Sequence, residues 1–219
     1  MSTLAVLPIK SFDRAKQRLQ PELSDARRRA LAEAMFSDVL VALRRANSVD
    51  GILVVSADRG ARMTAGALGA MILDDLERGH NEAAARGIAK ALELSAERAL
   101  LIPGDCPLLD PGELEALTGR IAGRPSALIV PDRHGTGTNA LLLSPPDALA
   151  PSFGPGSCAR HTTNARSIGL EHEVVQVPSL ALDIDEPDDL AELQARVAAT
   201  RGGAAHTRGL LSQLTRSRV

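Results

Sequence analysis

Short apolar runs alternate along the chain with longer stretches in which apolar residues recur every three or four positions. Leu4–Ile9 and Gly51–Ala57 are strand-length runs with little alternation, the pattern of strands covered on both faces. Ala70–Leu73, Ala99–Ile102, Ala127–Val130, Ala140–Leu143 and Glu173–Val177 read as further strands. Helices lie between them. Ser24 is placed to cap a helix to about Ala46, with Leu31, Met35, Val39 and Leu43 on one stripe. Asp58 can cap a short helix, and Asn81 a longer one to about Arg98 with Ile88 and Leu92 on one side. Asp110-Pro111 starts another, with Asp as cap and Pro at the first helical position. A last helix runs from Pro187 to about Ala199. Strands alternating with helices of this length predict a single α/β domain, a mostly parallel (mixed) sheet flanked by helices.

That domain is expected to span residues 1–199. After Glu192 the chain carries no carboxylate, while Arg196, Arg201, Arg208, Arg216 and Arg218 follow, and Gly202-Gly203 suggests a break. Residues 200–219 therefore read as a flexible basic tail.

Composition narrows the function. The 219 residues include 25 Lys+Arg against 27 Asp+Glu, so no global charge draws the chain to nucleic acid or to an anionic membrane. With no Trp or Tyr and three Phe, it lacks stacking platforms for single strands. No apolar run approaches the roughly 20 residues of a spanning helix. Lys10 interrupts the first apolar stretch too early for a signal peptide, and the two cysteines, Cys106 and Cys158, build no disulfide framework. A cytoplasmic setting is the expectation. Two glycine-rich segments, 135–140 and 154–159, mimic a dinucleotide fingerprint. The first leads into another strand and the second follows a proline-rich stretch, so neither has the strand–turn–helix context.

Ligands of an open α/β sheet bind beyond the carboxyl ends of its strands. The polar residues following the expected strands are therefore the candidates. Lys10, Arg14 and Lys16 form a cationic loop after the first strand, able to neutralise a triphosphate; a solvated loop fits the same residues. Gly79 and Asn81 follow the third strand. Asp105, between Gly104 and Pro107, lies on a stiff loop after the fourth. Asp183 and Asp185 alternate on an extended segment, so both carboxylates can face one site. Near Asp105 they would repel unless a cation sat between them, and magnesium suits that need. Asp183 is the preferred ligand. Asp185 is kept in the metal set with Asp105 and Asp183, although it could simply cap the helix at Pro187. Gly154 and Ser157, with Thr138 opposite and Arg160 nearby, could form an anion site or a plain turn.

Taken in order, Leu-Pro-Ile-Lys10…Ala-Lys16-Gln-Arg-Leu19, Gly79-His-Asn81, Gly104-Asp105-Cys-Pro107, Gly135-Thr-Gly-Thr138-Asn, Phe153-Gly-Pro-Gly-Ser157…Arg160-His161 and Asp183-Ile-Asp185 span residues 4 to about 195. This series resembles the phospholactate and phosphoenolpyruvate guanylyltransferases of coenzyme F-420 biosynthesis, relatives of the molybdenum-cofactor guanylyltransferases. The resemblance implies a Rossmann-type fold like that of the nucleotide-diphospho-sugar transferases. It also implies magnesium-dependent transfer of GMP from GTP to a small phosphorylated acid, with pyrophosphate released. The resemblance implies Asp105 and Asp183 as metal ligands; with the residues read above, Asp105, Asp183, Lys10 and Lys16 are expected to be catalytic, and Lys10, Arg14, Lys16, Gly79 and Asn81 to bind nucleotide. Thr138, Gly154, Ser157 and Arg160 are expected to bind the acceptor. A homodimer and coupling to the next enzyme are compatible with it. His80 departs from the family, which commonly has an apolar residue there. The alternatives are a cytidylyl- or sugar-phosphate transferase of the same fold, or a non-catalytic nucleotide-binding module.

Overall fold

The computed structural model describes residues 1–121, 124–200 and 202–216. Seven strands form one mixed sheet: β1 Thr3–Pro8, β2 Gly51–Val55, β3 Met71–Leu73, β4 Arg98–Leu101, β5 Ser126–Pro131, β6 Thr138–Ser144 and β7 Glu171–Val174. Seven α-helices accompany them: α1 Asp25–Arg45, α2 Arg59–Ala67, α3 His80–Glu93, α4 Pro111–Thr118, α5 Ser157–Ser167, α6 Pro187–Ala199 and α7 Ala205–Arg216. The strand order is β3-β2-β1-β4-β6-β5-β7; β6 alone runs antiparallel to its neighbours β4 and β5. No helix among the described residues is long and apolar enough to cross a membrane.

Alternation along β1 divides the core. Ala5 and Leu7 join Phe36, Val39 and Leu43 of α1 on one face, while Leu4 and Val6 pack with Ala84, Ile88 and Ala91 of α3 on the other. The stripe expected on α1 is buried throughout. Its Leu31 and Met35 extend into a third cluster with Leu19, Leu23, Leu182, Ile184 and Leu193. That cluster fixes the end of the Lys10–Leu19 loop and the 182–184 segment side by side.

Helix α3 lies unusually close to the sheet, and Gly87 is the reason: a Cβ there would fall 2.2 Å from Val6 Cγ1. Valine cannot swing that methyl aside freely. We expect Gly87→Ala to cost about 1–3 kcal/mol by overpacking, although alanine is favoured in helix interiors by about 1 kcal/mol. Denaturant unfolding checks this through a lower midpoint at unchanged slope.

Three expectations need correction. Asn81 caps nothing, because Gly79 is the N-cap of α3. Asp185 does not cap α6; Glu186 does, in a capping box with Asp189. The tail is not loose over 205–216. Helix α7 buries Thr207 and Leu211 against the third cluster's side of the molecule, and the buried Asp38 of α1 accepts the backbone N–H groups of His206 and Thr207 at 3.0 and 2.8 Å. A remote carboxylate thus caps the helix, which no local spacing announces. Residues 201 and 217–219 of the expected tail lie outside the described residues.

Candidate active site

The strand order reverses at β1: β2 and β3 extend to one side, β4 to the other. Such a switch point opens a crevice beyond the carboxyl ends of the strands. The loop leaving β1 crosses it, with short 3-10 turns at Phe12–Arg14 and Gln17–Leu19. Asp58 ties down its start, accepting from Phe12 N–H at 3.0 Å and the Ser11 hydroxyl at 3.3 Å while capping α2 through Ala61 N–H at 2.9 Å. Burial would raise its pKa, but these donors outweigh burial and pull it below the ordinary aspartate value. The Phe12 ring packs on Phe36 with centroids 5.7 Å apart, and Leu19 is fully buried at the loop's far end.

Between these anchors Lys16 adopts a left-handed φ of +55° and turns inward. Its ammonium is ion-paired to Asp105 and, at 3.0 Å, to Asp185; the side chain is only 7% exposed. Burial alone would pull its pKa down. The charges of Asp105 and Asp185 prevail and hold it well above the usual lysine value.

Asp105 follows Gly104, whose added Cβ would stand 2.5 Å from Ile9 Cδ1, so the turn after β4 packs directly on the exit of β1. One carboxylate oxygen meets Lys16; the other, Oδ1, is buried with no hydrogen-bond partner. Asp183 faces the site because Leu182 and Ile184 on either side are buried in the third cluster. Its Oδ1 accepts from Asn139 Nδ2 at 3.1 Å, and the same amide donates to Leu180 O at 2.7 Å. Burial, followed by the negative charge of Asp105, raises the Asp183 pKa to about 6. The carboxylates from the middle and the end of the chain are therefore close enough for the charge of Asp105 to act on Asp183.

Among the described residues, no three His, Cys, Asp or Glu side chains form a ready metal cage. The pair fits a magnesium-like ion in another manner. Asp105 offers an unpartnered buried oxygen and Asp183 a carboxylate whose charge is resisted. Magnesium commonly takes one or two carboxylates and completes its shell with phosphate oxygens and water. Asp185 is half exposed and engaged by Lys16.

The crevice has two hollows. One, of about 630 Å³, is lined by Lys10, Arg14, Lys16, Asp75, Gly79 and Asp185 among others; its neighbour, of about 420 Å³, reaches Lys10, Lys16, His80, Gly104 and Asp105. These volumes suit a small ligand. Arg14 is held by Glu77 at 2.7 Å, whereas Lys10 is exposed and makes no ion pair among the described residues. Asn81 is turned elsewhere: its Oδ1 accepts from Phe153 N–H at 2.7 Å and its Nδ2 donates to Phe153 O at 3.2 Å. The His80 ring packs edge-on to Phe153 with centroids 5.2 Å apart. Burial, then the charge of Lys10, lowers its pKa.

Thr138 and Asn139 belong to β6 rather than to the preceding loop. Because β6 is antiparallel to β4, with Leu141 opposite Leu101, its first residues emerge at the same edge as Asp105. Thr138 lines a narrow recess with Pro8, His80, Pro103 and Phe153; Pro8, His80 and Pro103 also border the hollow containing Asp105. Across from Thr138, α5 begins after Gly156. Its N-terminus is partly committed, since Ser157 N–H donates to Gly154 O at 3.0 Å and Cys158 N–H to Thr136 O at 3.2 Å. The Ser157 hydroxyl makes no hydrogen bond among the described residues. Arg160 braces its own loop, donating to Pro155 O and, at 2.9 Å, to Ser152 O. Two residues outside the predicted site prove central to its geometry: Asn139, which orients Asp183, and His161, which contacts Thr138.

Comparison with known proteins adds four findings. A family model described as "Guanylyl transferase CofC like" matches residues 3–215, extending the sequence resemblance into α7. The chain is similar to the phosphoenolpyruvate guanylyltransferase of Conexibacter woesei, 54% identical over 99% of this chain and 98% of the relative. It is 35% identical to the 2-phospho-L-lactate guanylyltransferase of Methanothermobacter thermautotrophicus, over 98% of this chain and 92% of that one. In shape it matches a Desulfovibrio desulfuricans chain assigned to the nucleotide-diphospho-sugar transferases, with TM-score 0.79, 18% identity, and 99% and 98% of the two chains covered. The last match shows the fold expected from the sequence.

Proposed function

The chain belongs to the CofC-like guanylyltransferase family, and from that membership we propose that it transfers GMP from GTP to phosphoenolpyruvate in coenzyme F-420 biosynthesis, releasing pyrophosphate. The observation that carries the reading is the crevice where Lys10, Arg14 and Lys16 stand with Asp105, whose charge also reaches Asp183 behind it. Cations on one wall and carboxylates on the other suit a polyphosphate held together with a divalent ion. The 54% identity to a phosphoenolpyruvate enzyme favours that acid over 2-phospho-L-lactate.

In the proposed reaction a phosphate oxygen of the acceptor attacks the α-phosphorus of GTP in line, forming the new P–O–P bridge as the bond to pyrophosphate breaks. A phosphate monoester has its second pKa near ~6, so it reaches the site largely ionised at neutral pH. No general base is then needed. The problem to be solved is repulsion between two anions. Lys10, Arg14 and Lys16 would neutralise and align the GTP phosphates. Thr138, Gly154 and Ser157 would hold the acceptor's phosphate and carboxylate, Gly79 would give the base room at the head of α3, and Asn81 and Arg160 would brace the loop between the two substrates. Asp105 and Asp183 would hold magnesium, with Asp185 able to join once Lys16 moves to phosphate. When bound, that ion supplies charge neutralisation at the reacting phosphates.

Purified protein with GTP, phosphoenolpyruvate and magnesium is expected to yield pyrophosphate and a GMP-capped acid in equal amounts, and omission of magnesium to abolish both. GTP with magnesium should also raise the melting temperature more than ATP or CTP does. Equal use of the three nucleotides, or GTP binding without pyrophosphate release, would contradict the proposal.

A further inference from the structure

We infer that His161 is a positioning residue that sets the direction of the Thr138 hydroxyl hydrogen, and through it the capture of the acceptor acid. The inference rests on the proposed role of Thr138 in acceptor binding. His161 is fully buried, and both ring nitrogens are engaged. Nε2 lies 2.9 Å from the backbone nitrogen of Ser152, which can only donate, so Nε2 must be the unprotonated acceptor. A neutral ring then carries its proton on Nδ1. Burial, followed by the nearby Arg160 charge, lowers the His161 pKa to about 4, in agreement with a neutral ring at physiological pH.

Nδ1 lies 3.0 Å from Thr138 Oγ1. With the tautomer fixed by Ser152, Nδ1–H donates and the threonine oxygen accepts. Thr138 makes no other side-chain hydrogen bond among the described residues, so its hydrogen is free to point away from the imidazole. The recess that Thr138 lines adjoins the hollow containing Asp105. A hydroxyl held in this manner presents a donor to an anionic oxygen and withholds its lone pairs from it, which suits a phosphate or carboxylate. Phe153 keeps the ring in place, edge-on to it at 5.1 Å, and Asn81 fixes the backbone of Phe153.

Two substitutions of similar polarity separate this role from simple loop support. Asparagine can place an amide N–H near the Nδ1 position, keeping the donor to Thr138 and losing the acceptor for Ser152. Glutamine reaches toward the Nε2 position and does the reverse. His161→Gln is expected to raise the acceptor KM at least ~10-fold with the GTP KM within about twofold, and His161→Asn to leave both within about threefold. Thr138→Val should reproduce the glutamine effect, and the double variant His161→Gln/Thr138→Val should be no worse than Thr138→Val alone. The reverse order of Asn and Gln, or additive losses in the double variant, overturns the inference. Should the variants fail to fold, nitrogen-15 chemical shifts of the wild-type imidazole still decide it: a protonated Nδ1 is expected, and a protonated Nε2 overturns it. Wild-type transfer is measured first with phosphoenolpyruvate, 2-phospho-L-lactate and 3-phospho-D-glycerate. Failure with all three overturns the functional reading and this inference together, whereas wild-type activity with an unchanged acceptor KM in His161→Gln overturns this inference alone.

Discussion

Asp105→Asn is expected to lower guanylyl transfer at least ~100-fold at saturating substrates, about 2.7 kcal/mol of lost transition-state stabilisation, while leaving the fold intact. The carboxylate does three things that an amide cannot. It pairs with the buried Lys16 ammonium, it presents a second oxygen that no protein group satisfies, and it holds Asp183 in a state that resists its own charge. The last effect makes stability an informative control. Removing the charge at 105 weakens the tie to Lys16 but relieves repulsion on Asp183, so the two changes oppose one another, and the melting temperature should move by only a few degrees. Asp183→Asn is expected to lose a similar factor in rate. Because both carboxylates would serve one charge centre, the double variant should be scarcely worse than either single one. Steady-state rates beside thermal melts check this. A folded Asp105→Asn protein within tenfold of wild-type turnover would remove Asp105 from the reaction.

The framework of this site was legible in the sequence because it depends on short-range periodicity. Leu182 and Ile184 bracket Asp183, and an extended chain must then turn Asp183 and Asp185 to the opposite side; the structure buries the first pair, leaves Asp183 half-buried against Asn139 and brings Asp185 to the wall of the crevice. The α1 stripe and the caps at Asp58 and Asp110 follow from equally local rules, and both aspartates accept from the expected backbone N–H groups. What was not legible depends on partners far away in sequence. Asn81 has the composition of a cap, but its amide spans 72 residues to fasten Phe153. Asp38 looks like an ordinary helix-surface residue until α7 arrives to be capped, 168 residues later.

The tail shows the same division in reverse. Thr207, Leu210, Leu211 and Leu214 already have helical spacing, and three of these positions pack into or against the third cluster. The run of arginines and the glycine pair obscured it. His161 carries no signal in the sequence beyond its place at the end of the Phe153–His161 motif. Its importance comes from which atom it meets, a matter of side-chain geometry that spacing does not encode.

Replacing Lys16 should disturb both catalysis and folding, with a pH signature that distinguishes it from the aspartate variants. Lys16→Met preserves length and apolar packing but removes the one ammonium that touches both Asp105 and Asp185. Breaking a buried ion pair by deleting one partner typically costs ~3–5 kcal/mol. Asp105 is a quarter exposed and Asp185 more than half, so solvent screening brings the expected loss nearer ~2–3 kcal/mol at pH 8. In the wild-type protein Asp183 ionises near pH 6 instead of 3.8. Between those values the folded chain binds more protons than the unfolded chain, so ionising this carboxylate weakens the fold as pH rises and costs nothing below both values. Without Lys16 the charges of Asp105 and Asp185, both of which raise the Asp183 pKa, stand without the cation that pairs with them. The stability gap between Lys16→Met and wild type should therefore be widest at pH 8 and shrink toward pH 5. Transfer should fall at least ~100-fold, since a charge partner of the phosphates is lost, with a raised KM for GTP. Lys16→Gly is a useful companion, because it relaxes the left-handed backbone at φ +55° yet also removes the charge. If backbone strain were the main issue, the glycine variant would match or exceed wild-type stability; the ion-pair account expects it to fall with methionine. Urea titrations at pH 5 and 8 with GTP kinetics decide the matter, and a gap that is equal at both pH values would rule out electrostatic holding of the carboxylates by Lys16.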